Sequence, residues 1–118
     1  MRAKVLPAGD PVTRSTIATD LRGLGLRAGD VVLVHSSLSA IGWVPGGAVP
    51  VLHALQDVLT DAGTLVMPAH TSGLTDPEGW SNPPVPPEWR PVIREQVPAF
   101  DVARTPSEHM GVIAETFR

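Results

Sequence analysis

Apolar residues recur along this chain with a period that changes from segment to segment, and each change predicts a boundary. Thr13 and Ser15 offer N-cap hydroxyls to a helix whose Ile17, Leu21 and Leu24 share one face, with Asp20 and Arg22 pointing away, before Gly25 ends it. Val31 to His35 is then a continuous β-branched and apolar run, the pattern of a strand buried on both faces of a parallel sheet. Ser36 to Gly47 is small, polar and Gly-rich. A helical pattern follows with Pro50 in its first turn, Val51, Leu52, Leu55, Val58 and Leu59 on one face, and His53 and Asp57 opposite. Gly63 stops that helix, and Thr64 to Met67 forms a second buried strand before Pro68. Strand, helix and strand make one βαβ unit.

From Ala69 to Arg104 the periodicity breaks into a long Pro-rich loop that also holds Trp80 and Trp89, with a short helix between Glu88 and Val97 starting near Pro91. Structureless loops of this length in a compact domain are usually functional. Thr105-Pro106-Ser107-Glu108 reads as a capping box, and Met110, Ile113, Ala114 and Phe117 as the apolar stripe of the helix it opens. The fold class is therefore α/β, a partial mixed or parallel sheet with flanking helices. Residues 1–118 read as a single incomplete domain: 13–68 the first helix and the βαβ core, 69–104 the Pro/Trp loop, 105–118 the start of a helix. Two strands would leave exposed edges, so self-association is expected of the chain alone.

Composition narrows the function classes. Nine Lys and Arg against twelve Asp and Glu give a net charge of −3 in 118 residues. That balance suits a small cationic ligand better than a phosphate backbone, so nucleic acid is not an expected partner. No cysteine is present, which excludes disulfides and thiolate metal sites and is compatible with a reducing cytoplasm. No apolar run reaches the roughly 20 residues of a membrane helix, and no signal-length run precedes Pro7. A soluble, cytoplasmic protein without membrane contact is the expectation.

Ligands of open α/β sheets lie beyond the carboxyl ends of the strands, and here both ends are polar: His35-Ser36-Ser37 and His70-Thr71-Ser72. Amides of the Ser36 to Gly47 loop suit phosphate oxygens or amide carbonyls, with Gly46 and Gly47 allowing close approach or merely a tight turn. His35 and His70 suggest a metal pair, but no carboxylate stands at ligand spacing, and no metal is expected. Ser36 and Ser37 lack the Gly-x-Ser-x-Gly context of a nucleophile elbow. A metal-dependent or serine hydrolase is thus one alternative, and a non-catalytic binding fragment another. Asp76, Glu78, Glu88, Glu95 and Asp101 accompany the loop tryptophans; such acids are usually only solvated, though beside a groove they would suit a polyamine.

Val34-His-Ser-Ser-Leu-Ser-Ala-Ile-Gly-Trp-Val-Pro-Gly-Gly-Ala48 resembles the signature loop of the aminoglycoside 3-N-acetyltransferases. Gly63 to Thr71, Asp76 to Pro86, Pro98 to Asp101 and Arg104 to Arg118 follow that family in order. The resemblance implies the N-terminal portion of a larger α/β acetyltransferase that moves acetyl from acetyl-CoA to the 3-amino group of a deoxystreptamine antibiotic. It implies that His35, Ser36, Ser37 and Leu38 contact CoA, with Thr71, Ser107 and Met110 along the same groove. Asp76 and Asp101 are the candidates for drug ammonium groups. It also places the general base outside these residues, so the 118-residue chain is expected to be inactive alone.

Overall fold

A computed structural model describes residues 9–118. Helix α1, Arg14–Gly23, opens with a reciprocal cap in which the Thr13 hydroxyl accepts from the Thr16 amide and the Thr16 hydroxyl accepts from the Thr13 amide at 2.9 Å. Ser15 lies inside the helix. Ile17 and Leu21 pack inward as their spacing predicts, but Leu24 is the C-cap residue and is exposed, because the helix ends before its face comes round to the core. The Arg14 guanidinium donates twice, at 2.6 Å each, to the Asp57 carboxylate, tying α1 to the helix beside it.

That neighbour is α3, Ala48–Leu59, the buried centre of the molecule. Val51, Leu52, Leu55, Val58 and Leu59 are all buried as read from the sequence, joined by Ala48 and Ala54. Such a wide apolar face belongs to a helix covered on several sides, and α1, the sheet and the last helix supply the cover. The helix stops at Thr60, which takes a left-handed φ of 60°. Gly63 serves a different purpose from the helix stop expected of it: a β-carbon there would stand 2.7 Å from the Leu59 carbonyl. The absent side chain is what lets the turn close onto β2.

Strands β1, Val31–Leu33, and β2, Thr64–Val66, pair in parallel with Val31 opposite Thr64 and Leu33 opposite Val66. Both are shorter than the apolar runs that predict them, and only one face is covered. Val32 and Leu65 turn inward, whereas Val31, Leu33 and Val66 are 76%, 60% and 43% exposed. Burial on both faces was expected from the run of apolar residues; among the described residues α3 packs on one side and nothing packs on the other.

After β2 the chain is held by short turns. Single 3₁₀ turns at Ser72–Leu74, Pro77–Gly79 and Pro87–Trp89 lead to α4, Arg90–Gln96, with Pro91 in its first turn as anticipated. The capping box at Thr105 does not form. Helix α5, Val112–Phe117, begins seven residues later behind Gly111, leaving Met110 outside it and Phe117 at its exposed end. The side chains that spelled the box have longer-range partners. The Thr105 hydroxyl accepts from the Asp101 amide at 2.8 Å, and a Glu108 carboxylate oxygen accepts from the Ser72 hydroxyl at 2.7 Å. Ile113 and Ala114 bury α5 against α3, which brings the end of the described chain back to the βαβ unit.

Candidate functional site

Beyond the carboxyl end of β1 the backbone turns through His35, Ser36 and Ser37 into a one-turn helix, α2, Leu38–Ile41. Ser37 caps it: its Oγ lies 3.4 Å from the Ala40 amide and 3.0 Å from the Ser39 Oγ. Gly42, Gly46 and Gly47 all take positive φ, so the loop folds tightly before α3 starts behind Gly47 without any side-chain cap. His109, at φ 65°, and Gly111, at φ 88°, bring the segment before α5 alongside. The two segments meet at the floor, where a β-carbon on Gly111 would sit 3.2 Å from the Ser36 carbonyl.

Between them lies an open groove of about 1100 Å³, with residues 35–47 forming one wall and 109–112 the other. Its lining includes no Lys, Arg, Asp or Glu; His35 and His109 are its titratable side chains. The Ser36 Oγ is enclosed and has no hydrogen-bond partner, an uncommon state for a buried hydroxyl. The groove thus presents amides, hydroxyls and apolar groups, a surface that can accept carbonyl or phosphoryl oxygens but offers nothing to a polycation.

A second, smaller hollow of about 430 Å³ opens beyond β2, lined by Thr71, Gly73 and Leu74 on one side and by residues 98–108 on the other. Its acids are Asp101 and Glu108, with Arg104 beside them. The Asp101 carboxylate accepts from the Ala103 amide at 2.9 Å and stands 3.7 Å from the Arg104 guanidinium.

The sequence-derived candidates divide between these places. His35, Ser36, Ser37, Leu38 and Met110 meet in the larger groove, and Thr71 and Asp101 line the smaller. Ser107 lines neither. Its Oγ accepts from the His70 amide at 3.1 Å, and its own amide donates to the Glu115 carboxylate at 2.7 Å. Asp76 is likewise apart, accepting two hydrogen bonds from Arg94 at 3.0 and 3.1 Å. That guanidinium, followed by the Glu78 amide, holds the Asp76 carboxyl below its ordinary range; Arg118, followed by the Ser107 amide, does the same for Glu115. His70 is exposed and lies on neither lining, well separated in role from His35.

Trp43 and His109 line the larger groove although neither was singled out for it. Trp43 appeared only as one letter of a longer pattern, and His109 lies inside the stretch Arg104 to Arg118 with no role of its own. The signal for His109 is the glycine two residues on, which marks a tight approach; no local pattern reveals that the approach is to Ser36, more than seventy residues earlier.

The sequence profile of the aminoglycoside 3-N-acetyltransferases matches residues 33–118. The chain is 55% identical over 109 residues to the SPbeta prophage-derived aminoglycoside N(3')-acetyltransferase-like protein YokD of Bacillus subtilis, covering 92% of this chain and 40% of that protein. The crystal structure of YokD superposes with a TM-score of 0.89 over the same 92%. Aminoglycoside N(3)-acetyltransferase IX of Micromonospora chalcea is 42% identical over 100 residues, 80% of this chain and 32% of the relative. A solved structure described as AAC-IIIb binary with CoASH matches at 33% identity and a TM-score of 0.73, over 91% of this chain and 39% of its own. The chain therefore spans about a third to two-fifths of the length of the proteins it matches.

Proposed function

The chain belongs to the aminoglycoside 3-N-acetyltransferase family, and from that premise we propose that it forms the acetyl-CoA-binding part of an enzyme that acetylates the 3-amino group of a deoxystreptamine antibiotic. The observation that carries the reading is the neutral groove behind β1, both of whose walls fall inside the matched residues 33–118. His35, Ser36, Ser37, Leu38 and Met110 contact the cofactor there, and the enclosed Ser36 hydroxyl gains from it the partner it lacks. Ser107 acts one step back, fixing the His70 amide and the Glu115 carboxylate behind the 109–112 wall. The smaller, acid-lined hollow takes the drug. Asp101 faces its ammonium groups, and Asp76, already neutralised by Arg94, is the weaker of the two acids for that purpose; Thr71, expected along the cofactor groove, lines this hollow instead.

The chemistry assigns the rest. A neutral amine attacks the thioester carbonyl, a C–N bond forms, the C–S bond breaks and CoA leaves as the thiol, while the amine proton passes to a base. Amides and hydroxyls of the groove suit the oxyanion that develops at the carbonyl. The base itself is assigned to the part of the family's length that these residues do not span. A cytoplasmic setting fits a cysteine-free chain that uses acetyl-CoA; among the described residues no helix is long and apolar enough to cross a membrane. Neither nucleic acid nor metal has a place in the scheme. The uncovered sheet face of Val31, Leu33 and Val66 makes association of the isolated chain its expected solution behaviour.

Calorimetry with acetyl-CoA, followed by a free-thiol assay with acetyl-CoA and gentamicin, tests the scheme. Binding without thiol release is expected. Absence of binding overturns the groove assignment, and turnover above the uncatalysed background moves the base into this chain, with His35 or His70 first in line.

A further inference from the structure

Helix α5 carries one polar pair that reaches past its own helix in two directions. The Glu115 carboxylate accepts from the Ser107 amide at 2.7 Å, and the Arg118 guanidinium donates to that carboxylate at 2.8 Å. A second nitrogen of the same guanidinium donates to the Val102 carbonyl at 3.1 Å. With side chains 35% and 26% exposed, this is the least exposed ion pair among the described residues. Neither outside contact is needed to seat α5, because Ile113 and Ala114 already bury it against α3. What the pair holds is chain without packing of its own, since no residue from 98 to 111 is buried.

The Ser107 bond closes the loop 107–115 on itself, and the Glu115 amide donates to the Gly111 carbonyl at 3.2 Å. Together they fix the two ends of the turn that carries His109 and Gly111 in left-handed backbone, a conformation that persists only where its surroundings impose it. That turn opens the 109–112 wall of the larger groove. The Val102 bond falls between Asp101 and Arg104, both on the lining of the smaller hollow.

We infer that Glu115 is a positioning residue for both ligand sites, holding the 109–112 wall directly through the Ser107 amide and the Asp101 to Arg104 wall through Arg118. The inference rests on the cofactor and drug reading above and adds that the two sites share one anchor, although Glu115 and Arg118 line neither. Hydrogen bonds to ionised groups are roughly twice as strong as neutral ones, and a wall without packing keeps its place through the groups that tie it. Loss of Glu115 frees both walls. Loss of Arg118 frees only the second, because the Ser107 amide keeps its acceptor.

The test titrates acetyl-CoA and gentamicin separately into the 118-residue chain by calorimetry. Glu115→Ala should weaken both ligands, acetyl-CoA by roughly tenfold. Arg118→Met should weaken gentamicin about threefold or more and leave acetyl-CoA within about twofold of the parent. Glu115→Gln keeps an acceptor for the Ser107 amide but loses the charge that holds Arg118, so it should follow Arg118→Met and not Glu115→Ala. A general loosening of the fold would lower both affinities in every variant and could not produce that split. Unchanged affinities in Glu115→Ala, or parallel losses of both ligands in Arg118→Met, would overturn the inference and leave the groove reading standing. A parent chain that binds neither ligand sinks both, and one that takes acetyl-CoA but not gentamicin ends the shared role together with the drug assignment of the hollow. Thermal unfolding checks that each variant is folded, and Arg118→Met with Glu115→Gln carries the decision if Glu115→Ala is not.

Discussion

Residues 14–66 and residues 69–111 are held together by different forces. The first region buries apolar side chains in two clusters around α3, with Ala54, Val58 and Leu59 almost fully enclosed. In the second, Pro77 is the one residue among those described that is buried, and order comes instead from side-chain hydrogen bonds: Thr75, Asp76 and Thr105 close on the backbone of Ser72, Glu78 and Asp101, and the Trp80 indole donates to the Thr75 hydroxyl. Apolar burial fixes an element wherever the neighbours happen to lie, whereas a network of polar contacts specifies one geometry and fails locally when a partner is lost. The larger groove lies along the seam between these regions, where a rigid scaffold presents adaptable walls, and the smaller hollow lies within the second region.

The comparison can be broken most decisively by paired truncations. Leu55→Ala should cost about 2–5 kcal/mol in urea unfolding, since its site is 4% exposed and walled by the rest of the core. Trp89→Ala, a larger truncation at a 56% exposed site, should stay within about 0.5 kcal/mol of the parent. Comparable losses would mean that the loop region is held by packing after all. A smaller effect sharpens the contrast: Glu108→Gln weakens the bond from the Ser72 hydroxyl and should cost about 1 kcal/mol. Hydrogen exchange should then speed up around Ser72 to Thr75 while the α3 amides keep their protection; acceleration of both together would show one cooperative unit.

The least of the expected effects concerns acid. Asp57 is held below its ordinary range chiefly by the hydrogen bond from Arg14, Asp76 by that from Arg94 and Glu115 by that from Arg118. A depressed carboxyl contributes stability above its unfolded value and loses it as pH falls through the folded one, so the loss begins below about pH 4.5. The Asp57 and Asp76 pairs are solvent-exposed and the Glu115 pair is half-buried, so salt will screen them, the last least. Arg14→Met should flatten the part of the acid limb due to Asp57 and converge with the parent at the lowest pH; an unchanged limb would mean that the Arg14 pair does not set it.

How far the molecule was legible follows from the same division. The face of α3 could be read residue by residue, because a helical period reports burial directly. The apolar runs of β1 and β2 located the strands but overstated their cover, since a strand's second face depends on what packs there and not on its own side chains. Thr105 to Glu108 misled in the opposite way: a correct local capping signal was outcompeted by Asp101, Ser72 and Glu115. Of the larger groove, the wall that follows a strand end was legible in His35 to Leu38; of the wall of 109–112 only Met110 was anticipated, and that through the family resemblance, because Ile113 and Ala114 carry the rest across the molecule.

The uncovered face of the sheet also leaves a calorimetric imprint. Val31, Leu33 and Val66 meet water in the folded chain as they do in the unfolded one, so unfolding adds little to their hydration. Heat-capacity change and denaturant slope both scale with newly exposed area, and for this chain both should fall below the roughly 12–15 cal/mol/K per residue, and the matching slope, of an ordinary domain its size. Its stability curve is correspondingly shallow: broad in temperature, low at its summit, and deepened by whatever comes to cover those three side chains.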